Sequence, residues 1–238
     1  GEHPDILADR VRGEALLRLV IKPLGDYTRT LHQRLAAGQR VDIEGPYGRF
    51  DGRGSRRRQQ VWVAAGVGVS DGVFDQTVCL ILDADANGAL GVVLNRFSAY
   101  DLEAVLPGWG PLVTFPVLLF DGGPVSPEGA ICLAEPARAE EEPPGWRPLF
   151  DGIGLLHLDT PLEIVAGAYR SLRIYAGYAG WGPGQLEREL EDHYWHVVTS
   201  PVSAVFDADP STLWRRVLRR QRGELGLLST WTPTPELN

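Results

Sequence analysis

Residues 78–94 read VCLILDADANGALGVVL, and this stretch decides the fold of the larger part of the chain. Val78–Leu82 and Leu90–Leu94 are apolar runs that contain β-branched residues, and Asn87-Gly88 lies between them. An Asn-Gly pair between two such runs is a strong hairpin signal, because both residues tolerate the positive φ that a tight turn requires. The stretch therefore predicts two paired strands.

The segments on either side of this hairpin alternate strand patterns with helix starts. Thr160-Pro161 with Glu163 supplies an N-cap, a proline at the first helical position and a capping-box glutamate, so we expect a helix that runs to about Ser171. A helix capped by Asp209-Pro210 should bury Leu213, Trp214 and Val217. Short apolar runs predict further strands at 61–65, 117–120, 153–158, 172–175 and 196–199. The pattern predicts an α+β domain.

Charge divides the 238-residue chain into two pieces that the net value of -8 conceals. Residues 1–70 hold 8 acidic and 12 basic residues, whereas the rest holds 23 acidic and 11 basic residues. A strongly acidic major part disfavours general nucleic-acid binding. We therefore expect a protein or small-molecule partner.

Compartment and membrane association follow from the apolar runs and the cysteines. No run approaches the roughly 20 apolar residues of a membrane span, and the first residues lack a signal-peptide layout, so no membrane association and a cytoplasmic location are expected. Cys79 and Cys132 lack the spacing of a zinc or iron–sulfur site, which predicts reduced core residues and no metal.

A glycine-rich segment before a predicted helix, residues 177–184, is the candidate ligand loop. Glycines let backbone amides approach an anion, and a helix N-terminus attracts negative charge. Glutamates in the first turns of that helix already occupy this position, which favours a structural loop with Trp181 either packed over it or lining a pocket. The candidate residues are Gly177, Gly180, Trp181, Gly182, Gly184 and Gln185.

Two further motifs are weak. Residues 68–72, GVSDG, satisfy the G-x-S-x-G pattern of serine hydrolases around Ser70, but a strand pattern follows where that motif requires a helix. His193 and His196 are three residues apart at a helix-to-strand transition, whereas zinc-binding helices place histidines four apart. His157, His193 and His196 are equivalent as partners for Ser70, so no catalytic residue is assigned.

Four segments from Asp71 onward resemble the YqgE/AlgH family of bacterial cytoplasmic proteins. They are DGVFDQTV at 71–78, NGALGVVLNR at 87–96, GGPV at 122–125 and YAGYAGWGPGQLE at 175–187. The resemblance implies an α+β fold with a mixed, curled sheet flanked by helices, no established catalytic activity and a provisional label as transcriptional regulators. The sequence shows no helix-turn-helix pattern to support that label. The family-motif residues are Asn95, Arg96, Gly122, Gly123 and Pro124.

Residues 1–70 resemble part of the flavin-binding barrel of ferredoxin-reductase-type flavoproteins, in the ferric reductase and NADPH oxidase branch. The matching segments are LVIKPLGDYT at 19–28, VDIEGPYG at 41–48 and VWVAAGVGV at 61–69. Of the family's His-Pro-Phe-Ser/Thr flavin segment only the first two residues are present, followed by Asp5-Ile6. The weak cofactor-binding candidates are His3, Pro4, Tyr27, Thr28, Gly66 and Gly68.

The two resemblances predict a composite chain. Residues 1–60 would form a partial barrel, and residues 61–238 a YqgE/AlgH-like domain whose first strand is 61–65. The favoured function is that of a family member that is non-catalytic or of unknown activity, with a regulatory role as one possibility and without a cofactor. The alternative is a flavin-dependent NAD(P)H oxidoreductase with FAD, defective here because most of both cofactor sites is missing.

Overall fold

A computed structural model describes residues 61–66 and 73–231 of the chain. The strands are β1 Val61–Ala65, β2 Val78–Asp85, β3 Gly88–Val93, β4 Phe120–Asp121, β5 Val125–Pro136, β6 Trp146–Phe150, β7 Ile153–Leu156, β8 Tyr169–Trp181 and β9 Trp195–Val198. The helices are α1 Leu102–Val105, α2 Leu162–Val165, α3 Gln185–Glu191, α4 Leu213–Arg219 and α5 Glu224–Leu228. Short 3-10 helices span Gly110–Leu112, Val202–Phe206 and Pro210–Thr212. The partial barrel predicted for residues 1–60 lies outside the described part.

The nine strands form one sheet in the order β6-β7-β5-β8-β3-β2-β1-β9, with β4 beside β8. All of these pairs are antiparallel except β4–β8, which is parallel. The α+β class is therefore confirmed, and the mixed character of the sheet comes from that single parallel pair. None of the helices in the described part is both long and apolar enough to span a membrane.

The hairpin predicted from residues 78–94 is present as β2 and β3. Asp85 accepts a hydrogen bond from the backbone amide of Asn87 at 2.7 Å, which shapes the turn. Gly88 has φ +136°, and a Cβ there would overlap the backbone carbonyl of Trp181. The Asn-Gly pair thus marked both the turn and a close approach to β8.

Strand β1 lies inside the sheet, between β2 and β9. Val63 is opposite Cys79 on one side and Val197 on the other. The side chains of residues 62–65 are all buried. The indole of Trp214 in α4 donates a 2.9 Å hydrogen bond to the Ala65 carbonyl, so β1 also holds α4.

The course of β8 shows that two predictions were wrong, namely the helix that runs to Ser171 and the turn at 177–184. Helix α2 ends at Val165, and β8 runs without interruption from Tyr169 to Trp181. Its first part pairs with β5, and its last three residues pair with Ala89–Gly91 of β3. Small residues gave this segment a turn-like sequence, but partner strands on both sides supply its backbone hydrogen bonds.

Strands β5 and β6 had no counterpart among the predicted strands. The first half of β5 contains Ser126 at φ +47°, Pro127 and Gly129, and the register shifts between Val125 and Ala130. This irregular half hides the period-two pattern on which strand prediction depends. From residue 130 to residue 135 the register with β8 is regular, and residues 131–134 within it are buried.

The main core explains how the sheet curls. Side chains from β1 and from β6, which lie near opposite ends of the strand order, pack in one cluster with the apolar side of α4. A flat sheet could not bring these strands together, so the sheet wraps around the cluster and α4 lies against it. Its largest members are the aromatic residues Trp62, Phe120, Phe150, Tyr175 and Trp214.

Candidate functional site

The family-motif residue Asn95 fixes the backbone of residues 73–77, which we call the 73–77 loop. Its Oδ1 accepts a 2.8 Å hydrogen bond from the amide of Val78, and its Nδ2 donates a 2.9 Å hydrogen bond to the carbonyl of Gln76. Both polar ends of the side chain are thus used on backbone. Asn95 can do this because it directly follows the buried end of the β2–β3 hairpin, where Leu94 donates to the Val78 carbonyl.

Arg96 holds the other end of the same loop. Its guanidinium donates a hydrogen bond to the carbonyl of Val73, and its own carbonyl accepts one from the Asp121 amide at 3.0 Å. Inside the loop, the Thr77 hydroxyl donates to the Phe74 carbonyl at 2.7 Å. Gln76 has φ +51°. This conformation costs a non-glycine residue energy, and it persists only where the surrounding structure imposes it. The loop is therefore held in one shape, with the Asp75 carboxylate exposed.

An aromatic cluster packs under the loop. The ring of Phe74 lies 5.3 Å from that of Trp195 and 6.5 Å from that of Trp181, and the two indoles are 5.7 Å apart. Oε2 of Glu189 accepts hydrogen bonds from both indoles, at 2.8 Å from Trp181 and 3.0 Å from Trp195. The other oxygen accepts from Gln185 at 2.7 Å. Trp181 is 6% exposed and packs in this cluster, where it helps to position the loop.

The candidate ligand loop is distributed over two elements. Gly177 and Gly180 belong to β8, whereas Gly182 and Gly184 connect β8 to α3. The Gly182 amide donates to Oε1 of Gln185 at 3.0 Å, and the Gln185 amide donates to the Gly182 carbonyl. These amides already have partners within the chain. The geometry therefore favours the structural role of this segment over anion binding.

The motif glycines Gly122 and Gly123 mark a backbone crossing. Gly122 donates to the Ala176 carbonyl at 2.7 Å and accepts from the Val93 amide at 2.9 Å. A Cβ on Gly122 would overlap the Gly177 carbonyl, and one on Gly123 would overlap backbone atoms of Tyr178. The connection that ends at Pro124 and enters β5 thus crosses β8 at a distance that only glycine allows.

Most of the weak cofactor candidates lie outside the described residues, namely His3, Pro4, Tyr27, Thr28 and Gly68, as does Ser70. Gly66 is described, and its amide donates to the Tyr194 carbonyl at 2.8 Å. A Cβ there would overlap the His193 carbonyl. Gly66 therefore packs against the turn before β9.

Thiol and imidazole groups in the described part offer no assembled reactive centre. Cys79 and Cys132 are free and buried, as predicted, and burial raises the pKa of both thiols, so they stay protonated. Within residues 61–66 and 73–231 no three histidine, cysteine or acidic side chains gather to hold a metal. The rings of His193 and His196 do stack, with their centroids 6.0 Å apart.

His196 gives a pH prediction. Burial, and secondarily the charge of His193, lowers the pKa of His196 below its ordinary value near 6.5. The folded chain then binds this proton less readily than the unfolded chain, so stability should fall as the pH drops below about 6.5 and stay level above it. Urea denaturation of wild type and His196→Gln at about pH 7.5 and about pH 5.5 measures the effect. Equal losses in both proteins would contradict a role for His196.

Arg173 is a buried cation that the sequence analysis did not single out. It is 1% exposed in β8, and its guanidinium donates to the carbonyls of Phe115, Val205 and Asp207 at 2.8–3.2 Å. The guanidinium also lies 4.4 Å over the ring of Phe120. Burial lowers its pKa, which the nearby Tyr175 and Asp207 oppose. Arg173 joins β8 to the segment after β9 and has no access to solvent.

Sequence reasoning missed Phe74, Glu189, Trp195 and Arg173 as members of these clusters. Phe74 and Trp195 stand in apolar runs that predict core residues, and Glu189 looks like one more surface glutamate of α3. Their association depends on a contact between the loop before β2 and the elements after β8. The spacing of residues in the sequence carries no signal for that contact.

The described domain is an α+β protein in which motif residues from distant segments hold one exposed loop. A family model described as AlgH-like matches residues 62–226, and the chain belongs to this family. It is 47% identical over 173 residues to a UPF0301 protein of Streptomyces avermitilis, a match that covers 71% of this chain and 90% of the relative.

Two solved structures have the same fold. A crystal structure from Corynebacterium diphtheriae is 30% identical with a TM-score of 0.66, covering 72% of this chain and 91% of the other. The solution structure of the AlgH protein from Pseudomonas aeruginosa is 26% identical with a TM-score of 0.56, covering 76% and 98%. None of these names points to a flavin reductase.

The family match extends the resemblance toward the N-terminus, close to the start of the domain predicted at residue 61. It begins at Trp62, nine residues before the point at which the sequence analysis placed the resemblance, and so includes nearly all of β1. Strand β1 is therefore part of the family domain, so the composite reading is not needed to supply this strand.

Proposed function

We propose that this protein is a non-catalytic binding protein that recognises a protein partner through the 73–77 loop. The observation that carries the proposal is that the side chains of Asn95 and Arg96 form hydrogen bonds with the backbone of this loop. Arg96 donates a hydrogen bond to the carbonyl of Val73, and Asn95 donates one to the carbonyl of Gln76. Asn95 also accepts a hydrogen bond from the amide of Val78, the first residue after the loop, so the two side chains set the shape of the loop. A loop fixed in this way loses little conformational freedom when a partner binds.

The chemistry of the site supports binding over catalysis. The loop exposes the Asp75 carboxylate and the side chain of Val73, and the Arg96 guanidinium donates to the Val73 carbonyl. Catalysis of acyl or phosphoryl transfer requires a nucleophile and a base within hydrogen-bond reach, and the buried Cys79 thiol next to the loop is protonated. A regulatory role through protein contact fits the acidic charge of the domain better than direct contact with DNA.

The proposal is tested by comparing variants in a capture experiment. Wild type, Asp75→Ala and a control, Asp151→Ala, are used as bait, since Asp151 is exposed on the turn between β6 and β7. A partner that is retained by wild type and Asp151→Ala and lost by Asp75→Ala supports the proposal, once the purified partner shows the same order of affinities. Identical partners for all three baits contradict it.

We further propose a cytoplasmic location and, for residues 1–60, a remnant of a flavin-binding barrel that holds no flavin. Two free buried thiols suit a reducing compartment. The incomplete His3-Pro4 segment lacks the residues that would contact the flavin ring and phosphate. Joined to the family domain, this segment would make the chain composite.

The absence of bound flavin can be tested on the purified protein. We expect purified protein to be colourless and to gain no bound flavin when it is incubated with FAD and desalted. Absorbance near the flavin maximum, relative to protein absorbance, measures this. A stoichiometric yellow complex, or flavin-dependent oxidation of NADPH, would restore the reductase alternative.

A further inference from the structure

The charge of the family domain is segregated, with its arginines concentrated around α4. Five of the eleven arginines between residues 73 and 231 lie within residues 215–222, and that stretch has no acidic residue. The rest of residues 73–231 holds six arginines and twenty-one acidic residues. We call Arg215, Arg216, Arg219, Arg220 and Arg222 the arginine face.

Helix α4 and the turn after it, which carry the arginine face, are held in place by packing and hydrogen bonds. Its opposite side is buried through Leu213, Trp214, Val217 and Leu218. Beyond the helix, Gln221 donates to the Thr199 carbonyl at 3.0 Å and to the Val217 carbonyl at 2.7 Å. The turn that carries the last arginines is thereby tied to the end of β9.

The arginines of this face differ in whether they have a partner within the described part of the chain. Arg215 donates to the Ser229 carbonyl, and Arg216 pairs with Asp207 at 2.6 Å. By contrast, Arg219, Arg220 and Arg222 are exposed and make no ion pair with any residue of the described part. Three neighbouring like charges repel one another, so an anionic partner would be favoured there.

A cavity of about 50 Å³ lies beside the face, between α4 and the 3-10 helix Val202–Phe206. Ser203, Arg216 and Arg220 line it together with Asp207. The Nε atom of Arg216 is buried without an acceptor. Because Asp207 contributes a negative charge to the same cavity, a singly charged carboxylate fits better than a phosphate dianion.

We propose that the arginine face binds an acidic segment of a partner protein, whose carboxylates pair with Arg219, Arg220 and Arg222. Leu227 on the adjacent α5 is 70% exposed and offers an apolar contact that a peptide can use. A nucleic acid suits the surface less, because its continuous phosphates would extend over the acidic remainder of the domain. The arginine face shares no residue with the 73–77 loop, and different variants test the two proposals, so either can fail without the other.

The test uses the full chain and a short fluorescein-labelled peptide of glutamates and leucines, with fluorescence anisotropy as the readout. The variant Arg219→Glu/Arg222→Glu reverses two exposed charges that have no partner in the described part. The control Arg138→Glu/Arg188→Glu makes the same change of net charge at exposed positions outside α4. Circular dichroism melting confirms that both variants fold.

We expect the peptide to bind wild type and the control with the same affinity. Its affinity for the Arg219→Glu/Arg222→Glu variant should be lower by a factor of about ten or more, and added salt should weaken binding to wild type. An oligonucleotide of equal charge should bind wild type more weakly than the peptide does. Three results would overturn the proposal: no peptide binding to wild type, equal losses in the variant and the control, or tighter binding of the oligonucleotide.

Discussion

Trp62→Ala will destabilise the family domain by about 3–5 kcal/mol, because a large aromatic side chain leaves a fully packed site. Trp62 is 1% exposed in β1 and belongs to the main core with Leu80 and Trp214. Its strand lies between β2 and β9, so the surrounding sheet has little freedom to close the cavity. Urea denaturation followed by circular dichroism gives the change in unfolding free energy.

The matched control lies one residue earlier. Val61 is 38% exposed in the same strand, so Val61→Ala should cost less than about 1 kcal/mol. If Trp62→Ala is as stable as this control, β1 is not an essential part of the sheet. The pair of variants therefore measures directly whether residues 61–65 belong to the domain that the family match defines.

Arg173→Met should cost a similar amount, about 3–5 kcal/mol, for a different reason. Methionine fills much of the space but cannot donate, so the carbonyls of Phe115 and Asp207 lose this donor, and the Val205 carbonyl keeps only the 3.4 Å hydrogen bond from the Tyr175 hydroxyl. The contact with the ring of Phe120 is lost as well. Arg173→Lys should rescue little of this, since one ammonium group cannot match the geometry of the guanidinium.

Arg170→Met in the same strand serves as the control. Arg170 is exposed, and its 3.1 Å ion pair with Glu135 is on the surface, so its loss should cost about 1 kcal/mol or less. Chemical denaturation of the three variants at one pH gives the comparison. An Arg173→Met protein as stable as Arg170→Met would mean that the three carbonyls have other hydrogen-bond donors.

The predicted secondary structure was accurate where the signal is local. The β2–β3 hairpin follows from Asn87-Gly88 between two apolar runs, and the buried side of α4 follows from the helical spacing of Leu213, Trp214 and Val217. Turn conformation and helix periodicity involve residues that are close in sequence. The glycines at 177–184 show the limit of such signals, because most of this segment continues a strand.

The amino-acid sequence was enough to predict the α+β class, the central hairpin, the strand at 61–65 and the family, since each depends on short segments whose side chains specify local conformation. Only the tertiary structure decided which distant segments meet. It packs Phe74 against Trp181 and Trp195, turns both indoles toward Glu189, and buries the charge of Arg173 among carbonyl groups. The contacts of Phe74 and of Arg173 join segments that are far apart in the chain. Arg173 packs on Phe120 of the main core, whereas Phe74 and the two indoles pack on the opposite side of the sheet, so both sides of one sheet are buried while their polar groups find partners.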